Sequence, residues 1–171
     1  LAVRAGIRQV TGIDTQIKWP NDVVLNGKKL VGILTEMSAQ MNYIEYLVTG
    51  IGINANLREF PEELEDKATS LQKEIGHKVN RSALIAECME KIEENYEIFV
   101  KTQDLSGLMA AYQEALVNQD QQVRVLEPGH EYTGVARGIN AMGELLVEKE
   151  DGTITEVYAG EVSVRGLYGY V

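Results

Sequence analysis

Hydrophobic and polar positions change rhythm three times along this chain, and each change predicts a different kind of element. Leu1 to Val10 carries apolar residues at helical spacing and closes near Gly12, which predicts the end of an amphipathic helix. Short apolar runs follow. Ile13 to Trp19 reads as a strand, and Val23-Val24-Leu25 and Leu30 to Leu34 flank Asn26-Gly27, a two-residue hairpin signal. Pro20 removes a ladder donor and stops the first strand, so Asn21-Asp22 reads as a turn. Ser38 to Asn42 is predicted as a polar connector to a strand over Tyr43 to Asn56, giving a three-stranded antiparallel meander. Residues 57–70 form a loop whose acidic charges read as solvated.

The helical rhythm returns at Arg81 to Lys101, behind Asn80 as the N-cap. There Leu84, Ile85, Cys88, Met89, Ile92, Tyr96, Phe99 and Val100 follow the spacing of one buried face. Leu105 to Leu116 predicts a second amphipathic helix. From Gln122 onward the texture becomes short strands: Val123 to Glu127, Tyr132 to Ile139, Gly143 to Lys149, Thr153 to Tyr158 and Glu161 to Arg165. Turns at Pro128-Gly129 and Asp151-Gly152 separate them, and this spacing suggests a small barrel. The polar stretch Val117 to Gln121 divides the chain into residues 1–117 and 118–171. The whole reads as α+β, a mixed sheet with packed helices followed by a small β-barrel.

Composition narrows the functional classes. At 171 residues and 44% apolar content the chain can bury a real core. Its net charge of −10 argues against a nucleic-acid surface on these residues. No apolar run is long enough to span a membrane, and the single Cys88 rules out an internal disulfide and fits a reducing, cytoplasmic setting. Cys88 sits on the helical stripe and reads as a small core residue, not a nucleophile. His77 and His130 are too far apart to read as a metal pair.

The candidate chemistry lies in the hairpin. Lys18, Asn21, Asp22 and Lys29 fall on turns and strand ends, places that position side chains for binding or catalysis. In the following strand, period two puts Gly50, Gly52 and Asn54 on one face, a shallow trough with Asn54 at its rim. Gly32 and Leu34 share a face of the hairpin strand and supply its neighbouring wall. Lys29 has the opposite parity to Gly32, so it reaches the same ligand only from the strand entrance or across a bulge. Plainer alternatives stand beside these readings. The glycines ease twist, Lys18 forms a surface ion pair, and Asp22 bonds its own backbone.

Lys18-Trp19-Pro20-Asn21-Asp22, then Lys29 to Glu36 in the pattern K-x-x-G-I-L-x-E, then Gly50-Ile51-Gly52-Ile53-Asn54 resemble the catalytic domain of biotin–protein ligases, in motif order and spacing. The likeness is strongest to the bacterial ligases that double as biotin operon repressors, and it extends to a C-terminal barrel of Src-homology type. It implies ATP-dependent adenylation of biotin with Mg²⁺, then transfer to a lysine of a biotin carboxyl carrier domain. It further implies that Lys29 contacts the biotin carboxyl and the adenylate phosphate, and that Asn54 holds the adenylate. Asp22 then stands next to the incoming lysine, Phe60 and the Lys67-Ala68 backbone border the adenine, Lys18 serves the phosphates, and Asn21 orients phosphate or hydrated magnesium. The family's arginine- and glycine-rich adenylate loop should precede KWPND and is not among these residues. This makes the chain read as a fragment, inactive alone, with any DNA-binding module upstream. Homodimerisation is expected through the sheet edge near residues 38–48. A lipoate–protein ligase and a non-catalytic regulatory or dimerisation fragment are the alternatives.

Overall fold

A computed structural model describes residues 1–127, 129–158 and 163–166. Helix α1 (Ala2–Thr11) ends on Gly12, whose N–H bonds the Arg8 carbonyl. Strands β1 (Gln16–Lys18), β2 (Asp22–Leu25), β3 (Lys28–Gln40) and β4 (Tyr43–Ile53) form one sheet in that order, with every pairing antiparallel. Among the described residues, parallel pairing is limited to the isolated bridges Ile17–Leu116 and Lys29–Ala68. Asn26 and Gly27 take φ values of 51° and 75°, the paired positive values that let a two-residue turn match strand twist.

Helices α2 (Leu71–Ile75), α3 (Arg81–Thr102) and α4 (Met109–Ala115) follow, and Asn80 caps α3 by accepting from the Ser82 and Ala83 amides. Strands β5 (Gln122–Glu127), β6 (His130–Ile139), β7 (Leu145–Glu148), β8 (Ile154–Val157) and β9 (Ser163–Gly166) make the second sheet, ordered β8-β7-β6-β5-β9 and again antiparallel. The predicted α+β architecture with a small five-stranded unit at the C-terminus is the one observed. Pro128 of the expected turn, and Glu161-Val162 of the last expected strand, lie outside the described residues.

Three expectations need correction. Ser38, Ala39 and Gln40 belong to β3, and only Met41-Asn42 connects it to β4. A ribbon solvated on both faces needs no apolar alternation, so its polar residues do not mark its end. The second amphipathic helix is shorter, starting at Met109, because Asp104 and Ser106 form a side-chain-capped turn ahead of it. Only Leu84 and Cys88 of the α3 stripe are buried, while Ile85, Met89, Tyr96, Phe99 and Val100 are exposed. The ten-residue α1 covers only one line of α3, with Gly6 set directly against the Cys88 backbone.

Two buried clusters hold the molecule together. The first joins Val3 and Ile7 of α1 to Val23, Leu25, Leu30 and Val31 of the hairpin, with Leu71, Leu84 and Cys88 above them. The second lies inside the C-terminal sheet around Val123, Val125, Ala136, Ile139, Leu145 and Val147. Trp19 and Leu116 from the first 117 residues complete it.

Candidate functional site

The site is built where the hairpin departs from regular pairing. Val23 pairs with Val31 but Val24 pairs with Lys29, so Leu30 is an extra residue on β3. This bulge turns the Lys29 side chain onto the face of Gly32. A β-carbon on Gly32 would stand 3.0 Å from Lys29 Cε and 3.1 Å from its Nζ, so glycine leaves the room in which the lysine lies. From there Lys29 Nζ reaches Asp22 Oδ1 at 2.6 Å. Asp22, the cross-strand partner of Gly32, is almost wholly buried, whereas the lysine side chain is 41% exposed. The result is an ion pair with its carboxylate inside and its ammonium facing outward.

Gly32 pairs with Gly52 and Leu34 with Gly50, so the two glycine-bearing stretches lie side by side. β-carbons on Gly50 and Gly52 would meet only main-chain oxygens at 3.7 Å. Packing within the chain therefore does not demand glycine at either position, and the strip they clear is open. Asn54 follows at the strand exit, with its N–H on the Leu30 carbonyl and its own carbonyl taken by the Leu71 N–H.

A flap over residues 57–68 closes one side. Its main chain is tied to the lysine itself: Lys29 N–H donates to the Lys67 carbonyl at 2.8 Å, and Thr69 N–H donates to the Lys29 carbonyl at 2.9 Å. Lys28, on the opposite face, sends Nζ to the Glu65 carbonyl at 2.8 Å. The adjacent lysines thus divide their work by strand parity, one pinning the flap and one facing the site. Between flap and strands lies a cavity of about 530 Å³ lined by Lys29, Asn54, Leu57, Glu59, Phe60, Pro61, Leu64, Lys67 and Ala68. The Phe60 ring is fixed in part by Lys73 Nζ, 5.4 Å from its centroid.

The structure brings Lys29, Asn54, Phe60, Lys67 and Ala68 to one cavity and sets Asp22 and Gly32 beside Lys29. Leu34, Gly50 and Gly52 continue outward along the open strip. Lys18 is buried opposite Asp22 across β1 and β2. Asn21 Nδ2 donates to the Ile33 carbonyl at 2.7 Å, while Ile33 N–H donates to the Asn21 carbonyl at 2.9 Å, so this residue also fastens the turn to β3. Sequence reasoning missed Lys28 and the lining residues Leu57, Glu59, Pro61 and Leu64. The paired lysines at the start of a strand were the available signal for Lys28.

Residues 1–54 match the biotin/lipoate A/B protein ligase family, and residues 120–165 match the biotin protein ligase C terminal domain. The biotin protein ligase of Aquifex aeolicus in its apo form superposes with a TM-score of 0.86 at 32% identity, over 96% of this chain and 71% of that one. The same ligase in complex with biotin and ATP gives 0.83 at 30% identity, over 96% and 68%. The bifunctional ligase/repressor BirA of Bacillus subtilis (strain 168) is 36% identical over 166 residues, 96% of this chain and 50% of that protein. A biotin–[acetyl-CoA-carboxylase] ligase of Mycobacterium tuberculosis is 30% identical over 151 residues, 87% of this chain and 53% of that protein. Two family models and solved structures aligned along nearly the whole chain place its α+β core and small C-terminal sheet in one family: the chain belongs to the biotin protein ligases. It spans about half the length of these curated relatives.

Proposed function

We propose that this chain carries the lysine–aspartate half of a biotin–protein ligase site, with residues 1–117 as ligase core and 118–171 as C-terminal barrel. The reaction is ATP-dependent formation of biotinyl-AMP, then acylation of a lysine on a biotin carboxyl carrier domain. The supporting observation is the Lys29–Asp22 pair, set over Gly32 at the edge of the cavity that Asn54, Phe60, Lys67 and Ala68 also line.

In the first step a biotin carboxylate oxygen attacks the α-phosphorus of ATP, and the bond to pyrophosphate breaks. Two anions must meet, and Lys29 supplies a fixed cation with one side open. The strip over Gly32, Gly50 and Gly52, walled by Leu34, takes the bicyclic ring. Phe60 and the Lys67-Ala68 backbone border the adenine, Asn54 holds the adenylate, and Lys18 adds positive field. In the second step the carrier lysine attacks the acyl carbon and AMP leaves, while Asp22 orients the incoming ammonium and accepts its proton. No group of three or more His, Cys, Asp or Glu side chains among the described residues forms a metal site. Mg²⁺ would enter with the triphosphate, and Asn21, whose Nδ2 is held by Ile33, would offer Oδ1 to its hydration shell.

The match of residues 120–165 to a biotin ligase domain favours biotin over lipoate, a choice the first match leaves open. The exposed apolar ribbon of β3 and β4 supports self-association along the β4 edge. Among the described residues no helix is long and apolar enough to cross a membrane. We assign the activity to the cytoplasm on the single cysteine, Cys88, which is buried and free. Any repressor function rests on a DNA-binding segment outside these residues, given the net charge of −10.

The test is pyrophosphate release in a complete ligase carrying this chain. Lys29→Ala should lower it by about 10²-fold, roughly 3 kcal/mol of transition-state stabilisation, with the circular dichroism unchanged. An unaltered rate removes Lys29 from the chemistry. Release driven by lipoate in preference to biotin transfers the assignment to a lipoate ligase.

A further inference from the structure

Trp19 stands inside the KWPND stretch yet packs in the core of the C-terminal barrel. Its side chain is 4% exposed and belongs to the cluster of Val123, Val125, Ala136, Ile139 and Leu145. Its indole Nε1–H donates to the Gly143 carbonyl at 3.0 Å, across 124 residues of sequence. The acceptor is well fixed. The Asn140–Glu144 turn is closed by the Asn140 N–H on the Glu144 carbonyl and the Gly143 N–H on the Asn140 carbonyl, each at 3.0 Å. Asn140 Oδ1 also accepts from the Met142 and Glu144 amides. The neighbouring Ala141 carbonyl takes the Leu105 N–H at 2.9 Å, tying the turn to the helical connector.

Two residues earlier β1 is held as well, since the Ile17 carbonyl accepts from the Val117 N–H at 2.9 Å. On its other edge β1 pairs with β2, setting Lys18 opposite Asp22. The turn Pro20-Asn21 thus leaves a tryptophan anchored in the barrel core and enters an aspartate held in the first sheet by its pairing with Gly32 and its ion pair with Lys29. We infer that Trp19 is a positioning residue: through its Gly143 hydrogen bond the barrel sets where Asp22, and with it Lys29, stands. This deepens the ligase reading and rests on it for its catalytic consequence. A shift of about 1 Å in a reacting group can cost on the order of 10²-fold in rate, so a modest release of this anchor should be measurable.

The test compares Trp19→Phe, which keeps an aromatic body and loses the N–H, with Val125→Ala, which loosens the barrel core and leaves that hydrogen bond intact. In the full chain, hydrogen exchange at the amides of Trp19, Asn21 and Asp22 should speed up about ten-fold in Trp19→Phe, with β7 amides unchanged. Val125→Ala should show the reverse pattern. Equal exchange at 19–22 in Trp19→Phe and the parent overturns the coupling, whatever the reaction proves to be. In an active ligase carrying the chain, Trp19→Phe should lower kcat for adenylate formation about ten-fold and change KM for biotin less than about two-fold. Val125→Ala should leave kcat alone below its melting range. Altered exchange with parental kcat overturns the catalytic part and keeps the mechanical one. Failure of every variant, parent included, to adenylate biotin counts against the ligase reading only.

Discussion

In the C-terminal sheet Val123, Val125, Ala136, Leu145 and Val147 are each at most 1% exposed, and their neighbours along the strands face outward. In β3 and β4 of the first sheet, Leu34, Met37, Tyr43, Ile44, Tyr46, Leu47 and Val48 all lie more than half exposed. The barrel curls around its own core. The first sheet does so only at its root, where β2 and the start of β3 pack under α1, and then runs outward as a two-stranded ribbon with apolar side chains in solvent. The candidate site sits at the change from one regime to the other. Lys29, Leu30 and Val31 are on the rooted side, and Gly32, Leu34, Gly50 and Gly52 begin the ribbon. That arrangement suits a reaction needing fixed charges on one side and an accessible strip on the other, because the buried Asp22 carboxylate holds the Lys29 ammonium while the strip on the ribbon is already open to solvent.

The widest difference should appear in stability. Leu30→Ala removes a fully buried bulge residue and should cost about 2–5 kcal/mol at any protein concentration, whereas Leu47→Ser on the ribbon should stay within about 0.5 kcal/mol at concentrations where the chain is monomeric. Urea unfolding of the two variants measures this. A cost for Leu47→Ser comparable to that of Leu30→Ala would mean that the ribbon is covered in solution. Sedimentation at several concentrations then distinguishes a second copy from a different partner.

Asp22→Asn sharpens the chemical side of the contrast. In a complete ligase it should still form the adenylate but transfer it to the carrier lysine about 10²-fold more slowly, the usual size of a lost general base. The defect should shrink as pH rises and the acceptor amine, with a pKa near 10.4 when free, loses its proton unaided. Equal, pH-independent losses in both half-reactions would place Asp22 in support of Lys29 alone. Gly32→Ala is a smaller probe of the same pair. The new methyl meets the flexible end of Lys29 and not the backbone, so it should displace the ammonium, lowering adenylation about ten-fold and the melting temperature little. A large loss of stability would show that Gly32 serves folding instead.

Much of this was legible from local rules. Asn26-Gly27 specified the hairpin, period two put Gly50 with Gly52 and Gly32 with Leu34 on shared faces, and the short strands after Gln122 announced the second sheet. The bulge was not legible, because Leu30 looks like any apolar strand residue. Parity alone could only state that Lys29 reaches the ligand of Gly32 from the strand entrance or across a bulge. The α3 stripe failed for a related reason: helical spacing shows that a face is apolar, but how much of it is covered depends on the length of α1. Trp19 in the barrel core is a contact across more than a hundred residues, with no trace in its neighbours. The motif named the residue, and only packing shows which core it serves.

The smallest expected effect contrasts the charges of the two units. The Lys29–Asp22 pair has a buried carboxylate, whereas Asp120 and Arg137 meet at 2.7 Å on the surface, where Arg137 also reaches Glu148 at 2.7 Å. The hydrogen bond from Arg137, helped by Gln119, holds the Asp120 carboxyl below its ordinary range. A carboxyl whose pKa is lower folded than unfolded stabilises the fold at pH values above its unfolded pKa. That contribution is lost as pH falls through the lower, folded value. Melting temperatures of the parent and Asp120→Asn should therefore differ slightly at neutral pH and converge in acid, below the ordinary aspartate pKa of about 3.9. Because the pair is exposed, added salt should shrink the neutral-pH difference as well. A difference that persists in acid, or that ignores salt, would mean that Asp120 acts through its left-handed backbone (φ 57°), a conformation asparagine adopts readily, and not through its charge.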